Sequence, residues 1–177
     1  MATAQPIRLV VLDVDGVLTD GTLYYGVDGD AMKGFSARDG MGISLARISG
    51  LKTAILTGRR SPMVERRAAE LHIDYVLQNV TDKLNKLEEL CQCEGISLEE
   101  IAYMGDDLND IEVISRCGLG ACPADGCTEV RQTADFVAAC TGGHGAVREL
   151  IEHILKQQGK WQQVLAKYGA VAQDIVQ

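Results

Sequence analysis

Several things are scarce in this 177-residue sequence, and each scarcity excludes something. It has one tryptophan and only three histidines, His72, His144 and His153, too scattered to form a histidine-based metal site. No apolar run approaches the roughly 20 residues of a membrane span; Ile7–Asp13 is typical of the longest. The opening MATAQPIRLV lacks a charged stretch followed by an apolar segment and a cleavage site, so no secretory leader is expected. Basic charge is also short. Lys and Arg number 17 against 25 acids, for a net charge of −8 and a pI of about 4.8. A nucleic-acid partner usually leaves a basic footprint, and none is seen. An anionic small substrate stays compatible, because a metal or a local group of Arg and Lys can reverse the field.

The six cysteines (Cys91, Cys93, Cys117, Cys122, Cys127 and Cys140) include no CxxC pair. No histidine pair completes a zinc site either. Without a secretory signal they read as free thiols in a reducing cytoplasm. No linker, internal repeat or low-complexity stretch interrupts the chain, which reads as one domain over residues 1–177. The 46% hydrophobic and 24% charged composition is that of an ordinary soluble globule.

Strand-like apolar runs alternate with helical patterns. Ile7–Asp13, Leu51–Gly58, Asp74–Gln78, Ile101–Asp106, Leu119–Ala124 and Asp135–Ala139 have the look of strands, several of them buried on both faces. Helices are expected between them. One runs through MGISLARIS to Gly50, and another starts at Ser61-Pro62, an N-cap followed by proline at N1. A third is capped by Thr81 and ends at Gly95, after which Ser97-x-x-Glu100 reads as a capping box. The last, Gly145–Tyr168, breaks near Gly159. Such alternation predicts an α/β fold: three α/β/α layers, Rossmann-like, with a central parallel sheet. One segment departs from it. Between about 17 and 36, TLYY and AMKGF flank a turn-rich GVDGD and read as a β-hairpin flap. The tail at about 160–177 has no role that the sequence assigns.

The chemistry gathers at strand ends, where ligands bind in open α/β sheets. Asp13-Val14-Asp15-Gly16 ends the first strand. Two acids two residues apart diverge along a strand, so the chain must turn at once, with Gly16 letting it curl back, for both to address one point. Two such anions call for a cation or proton between them. Gly105-Asp106-Asp107-Leu108-Asn109-Asp110 supplies more oxygen donors at another strand end, a set suited to Mg²⁺. The plainer reading of those acids is an N-cap for the helix that follows. Thr57-Gly58, before a helix, offers a hydroxyl and an open N–H for an oxyanion. Lys83 in a first helical turn opposes the helix dipole and wants a local reason, such as a bound anion.

Taken as a set, DxDG, ILTGR, Lys83 and GDDLND resemble the motifs of the Mg²⁺-dependent phosphatases of the haloacid dehalogenase superfamily. The resemblance implies Asp13 as nucleophile, forming an aspartyl-phosphate, and Asp15 as general acid and then base. It implies Mg²⁺ held by Asp13, the Asp15 carbonyl and Asp106, and phosphate held by Thr57, Gly58 and Lys83. Asp107, Asn109 and Asp110 would surround the metal and Lys83, with Asn109 reaching the substrate. The spacings Asp13 to Thr57 and Thr57 to Lys83 leave no room for a cap domain.

Within the capless branch, DVDGVLTDGTLYY, FSARDGMGI, TGRRSPMVERRAAEL and GGHGAVRE resemble the 3-deoxy-D-manno-octulosonate 8-phosphate phosphatases. This implies a phosphorylated keto-sugar acid as substrate and lipopolysaccharide precursor synthesis as context. It also implies a homotetramer in which a neighbouring subunit covers the site. Substrate contacts would lie at Ser36, Ala37, Arg38, Asp39, Gly40, Arg59 and Arg67, since Arg pairs bidentately with such anions. A related branch acting on a nonulosonate 9-phosphate is the near rival, with Arg59 favouring the octulosonate. A receiver domain carries its phosphorylated Asp on a middle strand, unlike Asp13. A catalytically silent assembly domain is disfavoured by the intact Asp13, Asp15, Lys83 and Asp106.

Overall fold

In the computed structural model, the described residues are 6–27 and 29–169. Six parallel strands form one sheet in the order β5-β4-β1-β6-β7-β8: β1 (Leu9–Leu12), β4 (Lys52–Leu56), β5 (Tyr75–Leu77), β6 (Ile101–Met104), β7 (Leu119–Cys122) and β8 (Phe136–Val137). The six strand-like runs of the sequence are these six strands. A separate antiparallel hairpin, β2 (Tyr24–Gly26) with β3 (Gly29–Met32), occupies the predicted flap.

Helices cover both faces, and β1 shows how. Val10 and Leu12 join one apolar layer with Ile43 and Leu45 of α1 (Ala37–Ile48), Val64 of α2 (Pro62–Leu71) and Leu150 and Ile154 of α6 (Ala146–Gln157). Leu9 and Val11 join the other, with Leu87 of α3 (Lys83–Glu94), Val113 of α4 (Ile111–Arg116) and Val130 of α5 (Thr128–Thr133). Strand side chains alternate faces every second residue, so a strand apolar at every position needs a layer on each side. The result is the three-layer α/β/α arrangement that the pattern predicts. Among the described residues no helix is long and apolar enough to cross a membrane.

Local signals mostly act as read, with two corrections. The α3 helix is capped by Asp82, whose side chain accepts from Asn85 N–H at 3.0 Å, rather than by Thr81. Ser61 stands at the N-cap of α2, but its hydroxyl makes no capping bond. The Ser97/Glu100 capping box forms, and α1 ends before Gly50. The last helix breaks at Gly159 and resumes as α7 (Trp161–Lys167), whose Val164 is buried; residues 170–177 of the tail lie outside the described residues. All six cysteines are free. Burial pushes the Cys117 and Cys122 thiols up to about 12, which leaves them unreactive.

Because all six strands are parallel, their carboxyl ends share one edge. The chain moves from β1 outward to β4 and β5, then returns to β6 on the other side of β1. The gap between β1 and β6 is thus a topological switch point, where an open α/β sheet leaves a crevice.

Candidate active site

Asp13 follows β1, its N–H donating to Met104 carbonyl on β6 at 3.0 Å. The chain then turns through Val14–Leu18 with Gly16 at φ +87°. A β-carbon on Gly16 would lie 2.0 Å from Asp106 Oδ2, so the turn demands glycine both for its backbone and for the neighbouring carboxylate. The loop Thr141–Gly145 backs this turn: Gly143 N–H donates to Val17 carbonyl at 2.9 Å, and a β-carbon on Gly142 would lie 1.9 Å from the Gly16 carbonyl. The GGHG stretch therefore acts as a close-packed buttress behind the turn that follows Asp13.

Asp13 is 7% exposed. Its Oδ1 accepts from Val14 N–H at 2.7 Å and its Oδ2 from Lys83 Nζ at 2.7 Å. Lys83 is equally buried and also donates to Asp110 Oδ1 at 2.6 Å. These two carboxylates are the local reason for a lysine in the first turn of α3. Burial works against the Lys83 charge, but Asp13 and Asp110 outweigh it and hold the ammonium above the usual lysine value. Burial likewise raises Asp13, against the lowering pull of Lys83.

Asp110 is completely buried and fully used. Besides Lys83, its Oδ1 accepts the Tyr103 hydroxyl at 2.5 Å, and its Oδ2 accepts the N–H groups of Asp106 and Asp107 at 3.1 and 3.4 Å. Asp107 caps the turn Leu108–Asp110 by accepting from Leu108 N–H, so the capping reading of this acidic stretch holds for it. Asp106, after β6, is left with few partners. Burial, then the charges of Asp13 and Asp110, push its carboxyl up to about 7.

Carboxyl oxygens of Asp13, Asp106 and Asp110 lie within 4.8 Å of one another. Three acids so close, one of them pushed toward neutrality, fit a hard divalent cation. Because Asp110 is saturated by donors, Asp13 and Asp106 are the two with capacity to spare.

The cleft above them has a volume of about 280 Å³ and is lined by Asp13, Asp15, Gly21, Thr57, Gly58, Arg59, Asp106, Asp107 and Asn109. Every strand-end motif singled out in the sequence thus reaches one cleft, with Lys83 directly beneath. Thr57 is buried, its N–H bonded to Leu77 carbonyl. Arg59 lies 3.6 Å from Asp15 Oδ2 and donates to Tyr25 Oη at 3.0 Å and Asp30 Oδ1 at 3.3 Å, both on the hairpin. Lys33, just after β3, pairs with Asp15 Oδ1.

The structure does not bring Ser36–Gly40 and Arg67 into this cleft. Ser36 is the N-cap of α1, accepting from Asp39 N–H at 3.3 Å. Ala37 follows it on the exposed side, and Arg38 packs beside Gly145. Asp39 is 1% exposed and is turned to α6, where it accepts the N–H groups of Gly145 and Arg148 at 3.1 and 2.9 Å. Gly145 has no side chain to cap α6, so Asp39 does so from another helix. Arg67 donates to Ser36 carbonyl and to Glu70, and a β-carbon on Gly40 would collide with its guanidinium. Within one chain Ser36, Asp39, Gly40 and Arg67 serve packing and capping, while Ala37 and Arg38 are exposed.

Lys33 and Tyr103 were not legible as site residues. A lysine at a hairpin end looks solvated, and a tyrosine in an apolar strand looks like core. Only the fold reveals their partners.

Residues 73–150 match the haloacid dehalogenase-like hydrolase family. The chain is 44% identical over 160 residues to 3-deoxy-D-manno-octulosonate 8-phosphate phosphatase KdsC of Escherichia coli BL21-DE3, covering 90% of this chain and 85% of that one. It is similar to the crystal structure of 3-deoxy-D-manno-octulosonate 8-phosphate phosphatase from Moraxella catarrhalis in complex with magnesium ion, phosphate ion and KDO. That match has a TM-score of 0.89 at 42% identity, over 92% of this chain and 93% of that one. It is also similar to the cobalt-bound phosphatase YrbI of Haemophilus influenzae, with a TM-score of 0.85 at 39% identity over 88% and 91% of the two chains.

Proposed function

The chain belongs to the haloacid dehalogenase-like hydrolases, and on that premise we propose how its cleft works. It is a Mg²⁺-dependent phosphatase that hydrolyses 3-deoxy-D-manno-octulosonate 8-phosphate to the free keto-sugar acid and phosphate. The observation that carries the mechanism is the buried Asp13–Lys83–Asp110 chain at the switch point, with Asp106 beside it.

Asp13 is the nucleophile. A carboxylate oxygen attacks phosphorus, the bond from phosphorus to the sugar oxygen breaks, and Asp15 gives its proton to the departing alkoxide. Water then attacks the aspartyl-phosphate, losing a proton to Asp15, and phosphate leaves. A covalent intermediate splits one hard displacement into two easier ones. Most of the catalysis is positioning and charge neutralisation. Lys83 neutralises Asp13 and the phosphate, while Thr57 hydroxyl and Gly58 N–H hold phosphate oxygens. Mg²⁺, held by Asp13, the Asp15 carbonyl and Asp106, supplies further neutralisation when bound. Arg59, at the mouth of the cleft, meets the anionic substrate.

The cleft is open, and no cap domain interrupts the described chain. The hairpin segment exposes Leu23, Tyr24, Tyr25, Val27 and Met32. Several exposed apolar side chains on one short segment support a homotetramer in which neighbouring subunits cover the site. Six free thiols and a dissolved substrate support a cytoplasmic location.

The test measures kcat/KM with Mg²⁺ for the octulosonate 8-phosphate beside a nonulosonate 9-phosphate and unrelated sugar phosphates. A clear preference for the first is expected. Equal rates across the panel would overturn the substrate assignment. Molecular mass in solution decides the tetramer.

A further inference from the structure

We infer that Lys33, carried by the hairpin, is the positioning residue that sets Asp15 for proton transfer to the leaving group. The inference rests on the assignment of Asp15 as general acid made above.

Four observations converge. The Lys33 side chain is only 3% exposed, although it lies at the end of a hairpin whose other residues mostly face solvent. Its ammonium meets Asp15 Oδ1. The second oxygen, Asp15 Oδ2, is buried yet has no hydrogen-bond partner, and Arg59 Nε stands 3.6 Å from it. Asp15 itself lines the cleft beside Asp13 and Thr57.

A carboxylate that pivots freely presents either oxygen and loses time in unproductive orientations. One held through Oδ1 keeps Oδ2 for the proton, and Oδ2 is the oxygen without a hydrogen-bond partner here. A charge-assisted hydrogen bond from a buried ammonium is a strong way to fix that rotation. Lysine brings a price in ordering, since its stem has many rotamers. That cost is already met in the folded chain, where the Lys33 side chain is buried. Arg59 is tied to the same hairpin through Tyr25 and Asp30, so β2 and β3 hold both groups that flank Asp15. The hairpin is therefore part of the proton-transfer machinery as well as an exposed surface.

Leaving-group chemistry separates this role from simple support of the fold. The sugar leaves as an alkoxide, which needs a proton. The 4-nitrophenolate of 4-nitrophenyl phosphate leaves without one. Single-turnover release of the leaving group is measured on Mg²⁺-saturated enzyme for wild type, K33M, K33R and D15N, with both substrates. K33M is expected to slow release from the octulosonate 8-phosphate at least ~10-fold, and release from 4-nitrophenyl phosphate less than ~3-fold, with KM for each little changed. K33R is expected to restore much of the loss. Equal slowing on both substrates, or no slowing on either, overturns the inference. If D15N itself shows no dependence on the leaving group, the assignment of Asp15 fails and the inference with it. If D15N shows it and K33M does not, only the role of Lys33 fails. The Mg²⁺-induced rise in Tm reports that each variant is folded, and K33Q replaces K33M should K33M not fold.

Discussion

The Tyr103 hydroxyl donates to Asp110 Oδ1 at 2.5 Å, and neither side chain has any exposure to solvent. Tyr103 sits on β6 within an otherwise apolar layer. It supports the carboxylate that in turn holds Lys83 against Asp13. Tyr103→Phe keeps the ring and removes the donor. Hydrogen bonds to charged groups contribute about 1.5–3 kcal/mol, so denaturant unfolding should show a loss in that range, with kcat lowered as Lys83 loses its fixed partner. Stability within experimental error of wild type would show that the bond contributes nothing.

Asp13→Asn should abolish phosphate release while leaving the fold intact. Burial raises the Asp13 carboxyl, with the nearby Asp110 charge adding to it, so a neutral amide is easier to bury at that point. In metal-free buffer the variant should unfold at a Tm equal to or above that of wild type. Full activity in the variant would remove Asp13 as nucleophile.

Metal binding should depend on pH with a definite sign. Asp106 is pushed from its ordinary 3.8 up to about 7 in the folded protein. Between those values the folded state binds more protons than the unfolded state, so this group lowers stability as pH rises from about 4 to about 7. A cation competes with that proton. The Mg²⁺-induced increase in Tm should therefore be larger at pH 8 than at pH 6. An increase independent of pH would mean that Asp106 does not hold the ion.

Gly16→Ala tests the turn that joins the two acids. The position has φ +87°, and an added β-carbon would meet Asp106 Oδ2 at 2.0 Å. Strained backbone alone costs about 1–3 kcal/mol, and the collision displaces Asp106 as well. Thermal unfolding and phosphatase assays should both show loss, with the requirement for Mg²⁺ shifted to higher concentration. Wild-type Mg²⁺ affinity would contradict the packing of Gly16 on Asp106.

Asp39→Ala distinguishes capping from substrate contact. Removing an N-cap typically costs about 0.5–2 kcal/mol, and here the lost cap serves the buried start of α6 through Gly145 and Arg148. Stability should fall by that order with KM nearly unchanged. A raised KM at unchanged stability would return Asp39 to the substrate.

Much of this protein was determined by its sequence alone. Short apolar runs such as Leu9–Leu12 can be buried on both faces only in a parallel sheet, and that sheet sends all its strand ends to one edge. Asp13, Thr57 and Asp106 were legible for that reason, since each motif sits directly after a strand. Lys83 was legible because a cation at a helix start needs a partner. What the tertiary structure decided depends on contacts between elements far apart in the chain. The partner of Asp15 is 18 residues away on a hairpin, and that of Asp39 is 106 residues away on another helix. Spacing along one element cannot report such pairs, because they arise from how elements pack and not from the period of either one. Asp39 and Tyr103 have ordinary sequence surroundings, and only burial beside a particular partner gave each of them its role.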